Sequence, residues 1–371
     1  MAVDVLSERA LNRATLARQL LLRRSPAEPL DAVRHLVGLQ AQNPLDPYLA
    51  LWSRLDPFDP DGLGRLVEDG SLVRIVVMRG TIHLVTAEDA GGLRPVMQPV
   101  LDAELARHSE FAPHLAGVDL APVLGFAGEL LAATPLDGTR LRAALAERFP
   151  ELHAPALAYA CRCRLPLVQV PPRGVWGRTR QVTLAPLDAW AGDRARVPAV
   201  AVDDVVLRYL AAFGPAGVAD AATWSRLTGM REVVERLRPR LRSFRGERGQ
   251  ELFDVPDAPR PDPDTPTPVR FLPEYDNVLL SHADRARFAT DHPGWFAAAT
   301  GPVKGAVLVE GVMAGVWHFE HDRKNGNAGI VVEHGRLPRG VGSQVEGEAG
   351  RVVRFWHAGA ATHDVRLIRV G

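Results

Sequence analysis

Gln40-Ala41-Gln42 sets two carboxamide side chains two residues apart in the sequence. A carboxamide carries an acceptor oxygen and a two-proton donor, so it can hold a water and aim its dipole at developing positive charge. Residues two apart stand about 200° apart on a helix but share a face of an extended segment. Gly38 before the pair and Asn43-Pro44 after it favour a helix end there, because proline turns its predecessor away from helical geometry. The two amides can therefore converge on one ligand; they can also cap a helix end or bind a phosphate, and spacing alone leaves these readings open.

Further polar residues sit where a ligand could meet them. In LVRIVVMRGTIHLVT, Thr81 and His83 share one strand face, opposite Ile82 and Leu84. His83 can reach a phosphate or position a sugar, or serve as a satisfied histidine on a half-buried sheet. Arg79, at the turn before them, is either a phosphate contact or a solvated charge. Arg173, Arg178 and Arg180 surround Trp176 in PPRGVWGRTRQ, a mix of charge and aromatic surface suited to a nucleic-acid strand or groove, or to a solvated wing tip. Arg323 and Lys324 flank Asn325-Gly326, a strong hairpin-turn signal, so a basic tip can enter a DNA groove or stay in solvent. The arginines between Arg236 and Arg248 read first as a solvated helix face.

These residues need elements to hold them. A helix is predicted from Ser7 to Leu22 with Ser7 as N-cap, a second from Pro29 to Gly38 and a third from Pro47 to Leu55. Turn residues lie near Gly62 and Gly70, and a hairpin follows across Arg79-Gly80. Helices at 121–133, 139–148 and 154–164 then precede a hairpin over 165–184. Helices at 203–213, 218–227 and 231–238 precede another over 242–255. Three helices and a hairpin, three times over, is winged-helix order. The Pro- and Asp-rich stretch 254–268 reads as a linker. Beyond it lie strand-like segments and one helix between Val341 and Trp356.

The expected fold is thus α+β: three tandem winged helices over 1–98, 99–198 and 199–256, a linker over 257–268, and a mostly β, barrel-like domain over 269–371. At 371 residues, 46% hydrophobic and 24% charged, the chain is long enough for several folded units. No secretory signal or membrane-length span is evident, so a cytoplasmic address with no membrane partner is expected. Formal net charge is zero, so any nucleic-acid surface must be local. Cys161 and Cys163 lack a second pair or a nearby histidine set, which argues against zinc and for two small core residues on a helix. No metal or cofactor is expected.

At LNRATLARQLLL, GLQAQNPLDPYLALWSRL, VMRGTIHLVTAED, LPEYDNVLLSHADR and KGAVLVEGVMAGVW, in that order, the chain resembles the winged-helix superfamily of the AlkZ and YcaQ DNA glycosylases. The resemblance implies tandem winged helices plus a C-terminal β-barrel around a DNA channel. It implies hydrolysis of the N-glycosidic bond of N7-alkylated purines, including crosslinks and bulky antibiotic adducts. The family motif is Gln, an apolar residue, then Gln or Asp; here it reads Gln40-Ala41-Gln42, which places the chain with the Gln-ending, AlkZ-type branch. Gln40 and Gln42 become the catalytic candidates, while Arg79, Thr81, His83, Arg173, Arg178, Arg180, Arg323 and Lys324 become DNA-binding candidates. The implied partner is double-stranded DNA bearing alkylpurine adducts or crosslinks, in self-resistance to an alkylating antibiotic; a monomer is expected, because repeated modules already supply several DNA contacts within one chain. A non-catalytic DNA- or drug-binding regulator on the same winged helices is the rival reading. In LPEYDNVLLSHADR, Asp276, Asn277, His282 and Asp284 are expected to brace the C-terminal domain against a winged helix.

Overall fold

The computed structural model describes residues 4–288, 294–295, 304–322 and 326–370. The order of three helices and a hairpin occurs three times. Helices Pro29–His35, Asp46–Trp52 and Pro60–Glu68 precede strands Leu72–Val76 and Ile82–Thr86. Helices Ala121–Ala133, Gly138–Arg148 and Ala154–Arg164 precede Leu167–Gln169 and Thr183–Pro186. Helices Val202–Phe213, Val218–Ser225 and Met230–Leu237 precede Arg242–Gly246 and Glu251–Asp254.

In the first unit the sequence suggested a turn around Gly62, where a helix forms. Asp59 caps it by accepting from the amides of Asp61 and Gly62, and Pro60 occupies its first turn. Burial of Leu63 and Val67 offsets the cost of about 1 kcal/mol that each helical glycine carries. The helix Glu8–Arg18 is capped by Ser7 as expected, its hydroxyl 3.1 Å from the Ala10 amide. It does not pack as the first helix of a winged helix. Thr15 and Gln19 bond to the carbonyls of Phe213 and Ala212 in the third unit, and Leu16 packs with Leu272 and Leu308 of the C-terminal sheet.

The hairpins of the first two units merge into one antiparallel sheet of six strands, ordered Leu39–Gln40, Ile82–Thr86, Leu72–Val76, Leu167–Gln169, Thr183–Pro186, Leu136–Asp137. The join pairs Arg74 with Gln169 and Ile75 with Val168. The strand carrying Gln40 is therefore an edge strand, with the opposite side of its backbone open to other partners.

The expected C-terminal barrel is not formed. Five strands lie in the order Arg270–Leu272, Gly305–Val309, Val312–Asp322, Asn327–His334, Thr362–Arg369, and the two outer ones do not pair with each other. The last pair is parallel, which requires a crossover, and helix Gly342–Trp356 supplies it. Val345, Ala349, Val352 and Val353 of the helix cover one face, meeting Val307 and Val309. Ala306 and Leu308, pointing the other way, meet Leu16, Leu21, Val278 and Leu279. Both faces are buried against helices, so the sheet needs no closure to hide apolar surface. No described helix is long and apolar enough to cross a membrane.

Candidate active site

Gln40 lies on the edge strand, paired in register with His83, and is 8% exposed. The amide of Ala41 continues the ladder to the carbonyl of Ile82 at 2.8 Å, and the Ala41 methyl is fully buried among Leu36, Leu39 and Tyr48. With Ala41 turned into the core, its two neighbours are carried toward the other side of the extended segment. Gln42 follows as an exposed residue just before helix Asp46–Trp52, and its side chain bonds to no described residue.

Gln40 joins two of the other candidates. Arg79 Nη2 donates to Gln40 Oε1 at 2.6 Å and to His83 Nε2 at 3.2 Å, while Nη1 donates to the Trp224 carbonyl at 3.3 Å. Arg79 holds this fork from a left-handed backbone (φ 59°) in the turn Met78–Gly80. A guanidinium can only donate, so it fixes which end of the Gln40 amide faces it. The oxygen must point to Arg79, leaving the NH2 as the free end. The same logic sets the histidine. His83 Nδ1 lies 3.0 Å from the Thr81 carbonyl and must donate to it, so Nε2 is the lone-pair nitrogen that receives Arg79. Burial first, then the Arg79 charge, push the His83 pKa down to about 3. Burial and nearby Arg226 push Arg79 down to about 10, which still leaves it charged at neutral pH. Thr81 is half-buried and donates its hydroxyl to the Met78 carbonyl at 3.1 Å.

The segment after Arg270–Leu272 closes this site from the other side. Asn277 Nδ2 donates to the Gly38 carbonyl at 2.6 Å, and its Oδ1 accepts from the Gln40 amide at 3.3 Å. Asp276 forms a fully buried two-pronged ion pair with Arg54, at 2.8 and 2.9 Å. His282 donates from Nε2 to the Phe213 carbonyl at 3.1 Å and stays neutral because burial drives its pKa well down. The bracing role expected of Asp276, Asn277 and His282 is realised, and Asn277 in particular holds the catalytic-candidate strand itself.

Arg173, Arg178 and Arg180 stand apart from this cluster. The loop between Leu167–Gln169 and Thr183–Pro186 folds back on the first unit: Tyr48 Oη donates to the Gly174 carbonyl and accepts from the Trp176 amide, and Val175 enters the first unit's core. Arg173 donates to the Arg180 carbonyl at 3.1 Å, Arg178 pairs with Glu68 at 2.6 Å in solvent, and Arg180 is exposed. Arg323 and Lys324 lie outside the described residues. In the third unit Arg236 is paired with Asp203, and Arg238 with Glu235 and Glu251. Cys161 and Cys163 are fully buried core residues whose thiols burial pushes up to about 12 and about 11.

Two residues beside the pair went unnoticed in the sequence. Arg74 donates Nη2 to the Ala41 carbonyl at 2.8 Å from a buried position. Asp46, 5% exposed, opens the helix after Gln42, and its Oδ2 has no hydrogen-bond partner. Arg74 stands in an apolar-looking strand pattern and Asp46 in an ordinary first-turn position, so neither carried a distinguishing local signal. Among the described residues no group of three or more His, Cys, Asp or Glu is placed to hold a metal.

A family profile described as DNA glycosylase AlkZ-like matches residues 33–355. An interstrand DNA cross-link repair glycosylase from Streptomyces sahachiroi is 26% identical over 377 residues, covering 95% of this chain and 97% of that protein. The solved structure of the Streptomyces sahachiroi DNA glycosylase AlkZ superposes with a TM-score of 0.75 at 22% identity, over 98% of this chain and all of the other, a likeness of fold. With a profile match spanning the Gln pair, the hairpin and the bracing segment, this chain belongs to the AlkZ-like DNA glycosylase family.

Proposed function

We propose that this protein is a monofunctional DNA glycosylase of the Gln-ending branch, which hydrolyses the N-glycosidic bond of bulky N7-alkylated purines or unhooks interstrand crosslinks, in self-resistance to a DNA-alkylating antibiotic. The family supports glycosylase chemistry, and the curated relative's description supports crosslinks as the lesion class. The observation that carries the catalytic assignment is the 2.6 Å bond from Arg79 to Gln40 Oε1. It makes the two glutamines inequivalent: Gln40 is held with only its NH2 free, whereas Gln42 is exposed with its whole amide available.

Alkylation at N7 places positive charge on the purine, so the base departs without strong acid assistance. What remains is to support an oxocarbenium-like sugar and bring water to it, the problem glycosidases meet with paired carboxylates. The Gln42 carbonyl can accept from that water and direct its dipole at the sugar. The Gln40 NH2 can donate to a substrate or water oxygen and so fix the approach. His83, neutral and with both nitrogens engaged, is a support for Arg79 rather than a proton carrier. Arg173, Arg178, Arg180, Arg323 and Lys324 remain proposed contacts to duplex DNA, as do Thr81 and Arg79 through their position beside the pair. Several such contacts on one chain suit a monomer.

The test is base release from duplex DNA bearing a bulky N7-alkylguanine, read as abasic sites in single turnover. Gln42→Ala is expected to lower the rate roughly 10²- to 10³-fold, the scale of losing one polarising group. Gln42→Glu, which keeps an acceptor oxygen, is expected to stay within about tenfold of wild type. Release by Gln42→Ala at the wild-type rate removes the catalytic assignment, and binding of adducted DNA with no release by any form favours a binding protein instead.

A further inference from the structure

A pocket of about 440 Å³ opens at Asn43, the residue after Gln42, between the start of helix Asp46–Trp52 and the C-terminal sheet. Its size falls in the range of small-molecule sites, roughly 300–1,000 Å³. Trp317, Phe319 and Trp356 form a continuous aromatic wall, with Phe319 set edge-on to Trp317 at 4.9 Å and stacked on Trp356 at 5.5 Å. Asp46 and Glu274 line it with acidic side chains, and Asn43, next in the chain after Gln42, stands at its exposed rim.

The chemistry of this pocket is that of a cation receptor short of its cation. Asp46 is buried, yet its Oδ2 finds no hydrogen-bond donor. Burial, Glu274 and Asp276 together hold its carboxyl well above the usual range, and they outweigh Arg74, whose nearest bond goes to the Ala41 carbonyl instead. A buried acceptor without a donor is costly, and a ligand that enters the pocket with a donor or a positive charge relieves that cost. Aromatic faces combined with carboxylates select flat, delocalised cations, which both stack on rings and satisfy the charge.

We propose that this pocket receives the cationic N7-alkylated purine itself, stacked on the Phe319 and Trp356 side and charge-paired with Asp46, so that the attached sugar stands at the mouth beside Gln42. This rests on the glycosylase reading above and adds to it where the base goes and how an alkylated base is told from a normal one. An unmodified purine stacks without the added cation–π attraction and brings no charge to Asp46, so discrimination is electrostatic.

The test separates the pocket from the catalytic pair by measuring binding of nucleosides rather than base release. Calorimetry compares 1,7-dimethylguanosine, whose blocked N1 keeps it cationic, with its neutral counterpart 1-methylguanosine. The wild-type protein is expected to favour the cation by about tenfold or more, Asp46→Asn to lose most of that preference, and Gln42→Ala to keep it. Phe319→Leu, on a half-buried side chain, serves as a second variant should Asp46→Asn fold poorly. It is expected to weaken cation binding about 3- to 10-fold. Equal affinity of wild type for the two nucleosides, or a preference undiminished in folded Asp46→Asn, overturns the pocket assignment whatever the excision assay gives. A cation preference without any excision of adducts would instead leave the pocket standing and remove the glycosylase reading.

Discussion

Arg79 is the residue on which the geometry of the Gln pair turns, because one guanidinium meets Gln40, His83 and the Trp224 carbonyl together. A lysine offers a point charge on a flexible stem and cannot span three acceptors in a plane. Arg79→Lys is therefore expected to slow base release about 10- to 100-fold, because it frees the Gln40 amide to rotate, and to lower affinity for undamaged duplex DNA much less, because lysine keeps the positive charge that a phosphate contact needs. A loss of DNA affinity equal to the loss of rate would show that Arg79 acts through the phosphate backbone alone and does not position Gln40. His83 gives a second residue-scale expectation. Its folded pKa of about 3 lies below the ordinary 6.5, so between those values the unfolded chain holds a proton that the native protein does not. Stability is fully present above about pH 6.5 and declines as pH falls toward 3, by at most about 1.4 kcal/mol per pH unit for this one group. His282, also buried and neutral, acts in the same direction. In urea unfolding between pH 5 and 8, His83→Gln is expected to flatten the acid side of the profile, and an unchanged slope would show that His83 is not held neutral in the native protein.

At the scale of elements, the strand Leu39–Gln40 is only two residues long and sits at a sheet edge, so one neighbouring strand alone does not hold it. Asn277 supplies the other side, donating to Gly38 and accepting from the Gln40 amide. Asn277→Ala leaves that buried carbonyl and amide without their partner, a loss of about 1–3 kcal/mol. The expected result is a lower melting temperature together with slower base release, even where the protein is fully folded. Asn277→Asp is expected to fail similarly, since a carboxylate cannot donate to Gly38.

The helices of the second and third units could be read from their apolar spacing, as could the Ser7 cap, the hairpin across Arg79-Gly80 and the helix ending at Trp356. Helix Pro60–Glu68 could not, because Gly62 and Gly64 look like turn residues until the buried Leu63 and Val67 are seen to hold them. Strand alternation likewise does not say whether a sheet closes: Ala306 and Leu308 read as one face and Val307 and Val309 as the other, but only the helices lying on each reveal that both are interior. The Gln pair was visible as a motif. Its inequivalence was not, since the fork from Arg79 and the brace from Asn277 join residues 39 and 237 positions apart in the chain.

The units are knit together at the scale of the whole molecule by contacts that ignore their order in the sequence. The N-terminal strand Val5–Leu6 runs parallel to Arg242–Gly246 of the third unit, and one apolar core extends from Val37 through Val168 to Phe253. Arg18 on the first helix forms a completely buried ion pair with Asp254 of the third hairpin, where Arg260 from the Pro-rich stretch also arrives. That stretch is consequently anchored at its start rather than acting only as a spacer. Removing one partner of a buried pair strands the other charge in a poor solvent, at a cost of about 3–5 kcal/mol. Asp254→Asn leaves two guanidiniums facing a neutral amide and is expected to destabilise by that amount. Where the loss falls distinguishes two kinds of molecule. If the shared core makes the units one cooperative body, thermal unfolding followed by circular dichroism gives a single transition displaced downward as a whole, and base release at temperatures below it is retained. If the third unit folds by itself, the same variant splits the curve, with an early step confined to residues around 200–256 that proteolysis would detect. The continuity of the core favours the single transition, because the hairpins of all three units share it and cannot unfold one at a time without exposing its apolar surface.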